Sequence, residues 1–377
     1  MNFDPNTKPE PNISTFLQRR IDAGDFPSAV YVVAEAGQAI FAEALGEAVR
    51  NPETRAASLD TIFDLASLTK PLATGLLYAR LVESGKLTLD SSIANYLLEF
   101  DRPDKTRITI RQLLTHASGL PAWRPLYIVA NGKQDAAIAA IANQPLAYEP
   151  GAEVIYSDLG FIVLGFLLSR LTGMTLDHLA QREIFDPLKL HSTFFNPAQA
   201  VRTGVAACET GNQYERDMCE LDPELPAYSG WRTAGIWGEV HDGNANFLGG
   251  VAGHAGLFST AAETLRLANQ FICGLSELLS KETCALFRIN MTAGLNEARS
   301  FAWQLAETRD STAGPALPPD AFGHTGFTGT SCWIDGTSQR VYILLTNRTH
   351  ARALPFANIN QVRREFHTLA VKALATR

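Results

Sequence analysis

Apolar positions change their spacing three times along the chain. Near the start, Ile13, Phe16, Leu17 and Ile21 recur at helical intervals, which predicts one helix inside a polar lead-in over 1–27. Two β-prone runs, Ser28 to Val33 and Ala39 to Ala44, then flank Ala36-Gly37 and read as a hairpin. From Leu72 to about Leu190 the pattern is helical. Segments are predicted at 72–84, 89–96, from 108 to a stop at Ser118-Gly119-Leu120-Pro121, 134–142, 157–171 and 175–185, the fifth capped by Ser157 and closed by Gly173. Residues 200–250 are irregular and rich in Gly, Asn and Trp, too long for an idle loop, so a covering or functional role is expected. Helix returns at 260–275. The end mirrors the start, with strands at 330–334 and 341–346 around Asp335-Gly336 and a last helix over 356–374.

Strands at both ends with helices between them predict an α/β (α+β) fold: one antiparallel sheet flanked by helices, with a helical domain inserted. The expected division is 1–71 plus 245–377 for the sheet domain and 72–244 for the insertion, with 200–244 as irregular cover. A chain of 377 residues has room for this, and 46% hydrophobic against 19% charged residues suits an ordinary globular protein. The net charge of -7 and the lack of a Lys/Arg cluster argue against a nucleic-acid partner. Cys208, Cys219, Cys273, Cys284 and Cys332 form no Cys-x-x-Cys pair and read as reduced structural thiols. No apolar run at the start resembles a secretory signal, and 161–168 is too short to span a bilayer. The expectation is a cytoplasmic monomer without a membrane partner, or a periplasmic one if a leader has been removed.

The chemistry gathers around Ser67-Leu68-Thr69-Lys70. Serine and lysine three apart share one face of a helical turn, so a partly desolvated Lys70 can take the proton of the Ser67 hydroxyl. Pro71 belongs near a helix start, which places Ser67 beside unpaired N–H groups. Alone the motif is unspecific, because most such lysines are simply solvated. Two further signals follow in order: Tyr156-Ser157-Asp158 at a helix start, and His324-Thr325-Gly326 before the last two strands.

Together these motifs resemble the serine β-lactamase and penicillin-binding superfamily, in particular its class C β-lactamase, DD-peptidase and esterase branch. The stretches 110–120, 148–151 and 253–260 extend the likeness, which runs from about residue 14 to 375. The resemblance implies a serine hydrolase acting through a Ser67 acyl-enzyme on an ester or amide, either a small ester or a D-amino-acid peptide. It implies Ser67, Lys70 and Tyr156 as catalytic residues and the N–H groups of Ser67 and Phe327 as oxyanion hole. Asp158, His324, Thr325, Gly326 and His254 would contact substrate, with no metal and no cofactor. Two positions depart from the β-lactamase pattern. His324 stands where lysine is usual, which weakens carboxylate recognition and makes it pH-dependent. Asp158 stands where asparagine is usual; it cannot donate a hydrogen bond and should hold Lys70 protonated. The rival readings are a true β-lactamase or DD-carboxypeptidase, and a binding protein with a dead site.

His116 reads as a structural histidine bonding nearby backbone. A metal site around Glu239, His241, Asp242 and His254 matches no standard ligand spacing. Trp231 and Trp237 could wall the pocket or anchor the irregular segment.

Overall fold

The structure, a computed structural model, describes residues 7–377. The first six residues of the polar lead-in lie outside that range. Both ends of the chain meet in one antiparallel sheet. Its strands are β1 (Ser28–Glu35), β2 (Gln38–Val49), β3 (Arg55–Ala56), β7 (Gln304–Leu305), β8 (Phe322–Thr325), β9 (Ser331–Asp335) and β10 (Arg340–Thr346). Their order is β3-β2-β1-β10-β9-β8-β7, so the first and last long strands are central neighbours, paired from Ala29↔Thr346 to Glu35↔Arg340. The hairpin expected at Ala36-Gly37 forms there, with both residues at positive φ (49° and 81°), the conformation a tight two-residue turn needs. A smaller sheet joins β4 (Phe63–Asp64), β6 (Leu257–Ser259) and β5 (Phe194–Phe195) in the order β4-β6-β5.

Period-2 alternation divides the large sheet between two cores. Tyr31, Val33, Trp333, Tyr342 and Leu344 pack under the first and last helices, Pro11–Asp22 and Asn360–Ala375. Val30, Val32, Cys332, Ile334 and Ile343 face the opposite core, which holds the helix Ala261–Ala268 and the apolar helices of the middle region. Burying one such side chain contributes about 1.5–3 kcal/mol, so both faces of the strands are committed to the interior.

Several elements differ from expectation. The helix after Lys70 opens as a wide π-type turn, Lys70–Gly75, before regular helix over Leu76–Glu83. Around Pro71 the ordinary helical ladder lacks a donor. The segment 89–96 contains only the short 3-10 turn Ile93–Asn95. The helix begun at 261 gives way to a 3-10 turn at Asn269–Phe271, and the last helix starts at Asn360 rather than 356. The irregular stretch holds two short helices, Gln213–Glu220 and Gly243–Phe247. The fifth predicted helix is found at Asp158–Thr172, with Ser157 accepting from the Gly160 N–H and Gly173 closing it at φ 68°. No single helix among the described residues is long and apolar enough to cross a membrane.

Candidate active site

Ser67 lies on a 3-10 turn, Ala66–Leu68, immediately before the wide helix. Ala66 is held at φ 47°, a conformation disfavoured for a residue with a Cβ. The turn is clamped from several sides. Thr69 Oγ1 donates to the Ala66 carbonyl (2.6 Å), Thr330 Oγ1 to the Leu65 carbonyl (2.9 Å), and the Ala66 N–H to Asp64 Oδ1 (2.8 Å). Gly326 packs against it so closely that a Cβ there would collide with the Leu65 carbonyl and Thr330 Oγ1. This close approach is what the glycine of the third motif permits.

Lys70 is 0% exposed and directs its ammonium at three acceptors: Ser67 Oγ (2.9 Å), Asp158 Oδ1 (2.6 Å) and the His254 carbonyl (3.1 Å). Burial opposes its charge, but the Asp158 carboxylate and Tyr156 outweigh that and raise its pKa. The charge state expected from Asp158 is therefore the one the geometry favours. Asp158 is the first residue of its helix, and its own N–H is fixed to the Ala122 carbonyl. The Tyr156 ring lies 4.9 Å from Lys70 Nζ. Burial pushes its phenol up in pKa, partly countered by Lys70 and Ser67, whose side chains its hydroxyl approaches. His116 stacks 4.5 Å from that ring and accepts the Ser157 N–H at Nδ1 (3.0 Å). It bonds backbone, as expected, and props Tyr156.

These groups open into a cleft of about 780 Å³ lined by Ser67, Tyr156, Asp158, His324, Thr325, Gly326 and Phe327, a size suited to a small-molecule ligand. His324 bonds the Thr325 carbonyl through Nδ1 (2.9 Å), and its buried Nε2 has no partner among the described residues. Burial, with help from Arg299 and Lys70, drives its pKa well below the ordinary histidine value. That direction, set by burial first and by the two cations after it, runs against the partial protonation near neutrality expected from the motif. His254 lies behind the lining rather than in it. Its ring is fully buried and bonds Asp242 Oδ1 (2.8 Å), and only its carbonyl reaches the site, through Lys70.

Sequence reasoning missed three arginines in the cleft. Arg299 is buried against the Tyr156 ring (5.8 Å) and paired with Glu297 at 2.6 Å. Arg348 and Arg363 bond no carboxylate among the described residues. Arg348 donates to the Phe327 and Ala357 carbonyls, and Arg363 to the Gly326 and Thr330 carbonyls and Asn360 Oδ1. Burial and the nearby Arg348 push Arg363 down to about 9. Their only sequence signal was an arginine three residues into the last helix and one just after β10.

The irregular segment supplies the remaining wall. Tyr214, Glu215, Met218, His241 and Asp242 line the cleft, with Tyr214 4.8 Å from the Phe327 ring. His241 bonds Glu209 (2.7 Å), while Glu215 accepts from Tyr127 (2.9 Å) and the Gly243 N–H (2.7 Å). Trp231 packs on Tyr127 and Tyr228, and Trp237 donates to the Val205 carbonyl, so both anchor the segment. Among the described residues no group of three or more His, Cys, Asp or Glu is arranged to hold a metal ion.

A family model for the β-lactamases matches residues 13–363. A putative D-alanyl-D-alanine carboxypeptidase of Escherichia coli (strain K12) is 32% identical over 364 residues, covering 89% of this chain and 81% of the relative. An N-acetylmuramyl-L-alanine amidase of Bacillus subtilis (strain 168) is 33% identical over 376 residues, covering 92% and 82%. Among solved structures, EstCE1, a hydrolase with promiscuous acyltransferase activity, is similar at TM-score 0.73 and 24% identity, over 95% of this chain and 97% of that one. A penicillin-binding protein homologue from Caulobacter crescentus is similar at TM-score 0.72 and 20% identity, over 97% and 98%. These two likenesses bear on the fold. With the family model spanning nearly the whole length, the chain belongs to the β-lactamase family and is a serine hydrolase of that superfamily.

Proposed function

We propose that the protein hydrolyses an amide or ester bond through an acyl-enzyme on Ser67, and that its substrate is a small peptide-like molecule bearing a carboxylate. The observation that carries this reading is the relay Ser67 Oγ–Lys70 Nζ–Asp158 Oδ1, with links of 2.9 and 2.6 Å, opening into the cleft. The resting Lys70 is an ammonium with all three protons engaged. Moving one to Asp158 leaves a neutral amine beside Ser67, and that amine takes the hydroxyl proton as Oγ attacks the carbonyl carbon. The oxyanion develops against the N–H groups of Ser67 and Phe327, neither of which has another partner among the described residues. Tyr156, neutral in its buried setting, protonates the leaving group and regains a proton from Lys70, which Asp158 then reprotonates. Water attacks the acyl carbon along the same path in reverse.

Arg348, partly buried, and Arg363, buried, support the carboxylate, since cations in the cleft with no carboxylate partner among the described residues favour an anionic ligand. Similarity to proteins named carboxypeptidase and amidase points the same way. A neutral His324 and an acceptor-only Asp158 both argue against efficient β-lactam hydrolysis. The test compares turnover of a peptide ending in D-alanyl-D-alanine, its C-terminal carboxamide and p-nitrophenyl butyrate, with intact-mass detection of the Ser67 adduct. At least tenfold preference for the free acid is expected. Equal turnover of acid and carboxamide would remove the carboxylate from the reading, and turnover by Ser67→Ala would remove the serine.

A further inference from the structure

Asp64 is a buried carboxylate, 2% exposed, with no Lys, Arg or His side chain paired to it among the described residues. It lies three residues before Ser67, and its two oxygens each accept one backbone N–H. Oδ1 takes that of Ala66 (2.8 Å) and Oδ2 that of His241 (2.7 Å). Its backbone is held as firmly: Asp64 pairs with Phe258 between β4 and β6, and its carbonyl accepts from Thr328 Oγ1 (2.8 Å).

The two amides belong to different parts of the site. Ala66 is the positive-φ residue just before Ser67. The N–H of the next residue, Ser67, has no partner among the described residues. His241 begins the stretch whose next residue, Asp242, lines the cleft and holds the His254 ring, while the His254 carbonyl accepts from Lys70. One carboxylate therefore fixes the turn that presents the nucleophile and ties to it the cover segment that supports Lys70. Burial raises the pKa of this carboxylate and the N–H groups of His241 and Ala66 oppose that rise, so the two amides it holds are also what stabilise its charge there.

We propose that Asp64 is a positioning residue for acylation, setting the Ser67 N–H and Oγ by clamping the Ala66 peptide and the His241 peptide together. The inference rests on Ser67 being the nucleophile. Asparagine has a single acceptor oxygen and would turn an N–H₂ toward one of the two amides, so Asp64→Asn breaks one clamp and keeps the volume.

The experiment measures turnover per active site, with sites titrated by a fluorophosphonate probe and the labelled residue located by peptide mass spectrometry. Asp64→Asn is expected to lose about 100-fold in kcat per labelled serine, the scale of one misplaced oxyanion donor, with KM within threefold of wild type. Ala66→Gly, which adopts positive φ without strain, should restore at least tenfold when added to Asp64→Asn. Asp64→Glu keeps the carboxyl group but displaces it by one methylene; it is expected to lose at least tenfold and serves if the asparagine variant does not fold. Turnover per labelled serine within threefold of wild type in the folded variants, or a change in KM alone, overturns the proposal. Label absent from Ser67 in the wild type overturns the serine reading and this one together.

Discussion

On one side of the cleft Lys70 gives each of its three protons to an acceptor, one of them a carboxylate at 2.6 Å. On another, Arg348 and Arg363 give theirs to backbone carbonyls and a side-chain amide, and no carboxylate among the described residues answers their charge. All three cations line or adjoin the same 780 Å³ space. A paired buried cation has its attraction satisfied within the fold, so it can position neighbours and relay protons. An unpaired one keeps its attraction for an incoming anion and is tolerated because carbonyl dipoles partly offset the lost hydration. The contrast separates machinery that acts on any bound acyl group from groups that decide which acyl group binds.

Removing the nucleophile should have the largest effect. Ser67→Ala is expected to lower turnover by roughly 10⁴-fold or more for every substrate, abolish the covalent adduct in intact-mass spectra, and leave the melting temperature nearly unchanged. A variant that still turns over an ester at a tenth of the wild-type rate would move the chemistry away from Ser67.

Breaking the paired cation comes next. Asp158→Asn leaves a buried ammonium facing a neutral amide. The expected destabilisation is about 3 kcal/mol, toward the low end for a buried pair because Asp158 is 19% exposed. It should appear as a shifted midpoint in urea unfolding, alongside at least 100-fold lower turnover as the relay loses its far acceptor. An unshifted midpoint would mean that the Lys70–Asp158 pair contributes nothing net to the fold.

The same contrast explains what could be read along the chain. Ser67, Lys70, Tyr156, Asp158 and His324 sit in short strings whose order carries meaning, so the paired side of the site was legible. Arg348 and Arg363 were not, because a solvated arginine and one held by backbone carbonyls in a cleft are identical in sequence. What distinguishes them is the packing of the last helix against the Gly326 turn. The sheet was legible where strands are continuous β-prone apolar runs, as in β1 and β10, buried on both faces. β8 was missed because Phe322-Gly-His-Thr325 has only one large apolar residue and owes its extended form to pairing with β9. Of the helices inside 200–250, Gln213–Glu220 is mostly polar and Gly243–Phe247 opens on a glycine whose role is local: a Cβ on Gly243 would run into the Glu215 carboxylate.

The unpaired arginines offer a sharper and smaller test. Arg363→Met should raise KM for a carboxylate-bearing substrate by about 10–100-fold, the weight of one charge-assisted contact of about 1.5–3 kcal/mol, while kcat/KM for p-nitrophenyl butyrate stays within threefold. Equal losses on both substrates would show that Arg363 supports the Gly326 turn rather than selecting an anion.

The cover segment provides the mildest effect, in a carboxylate that is neither paired with a cation nor free. Glu215 is buried beside Asp242; burial first, and then that neighbour's charge, raise its pKa from 4.5 to about 7, against the Gly243 N–H and His241, which lower it. A group whose folded pKa is raised favours the folded state while protonated. Its contribution is complete below pH 4.5 and is lost as pH climbs through 7. Between pH 6 and 8.5 the wild type should therefore lose about 1–1.5 kcal/mol of stability that Glu215→Gln does not lose. Urea midpoints at the two pH values measure this difference directly. Parallel pH curves for the two proteins would mean that Glu215 is already ionised at pH 6, its charge held by the Gly243 N–H and the Tyr127 hydroxyl, and the cover segment would then belong with the paired side of the site.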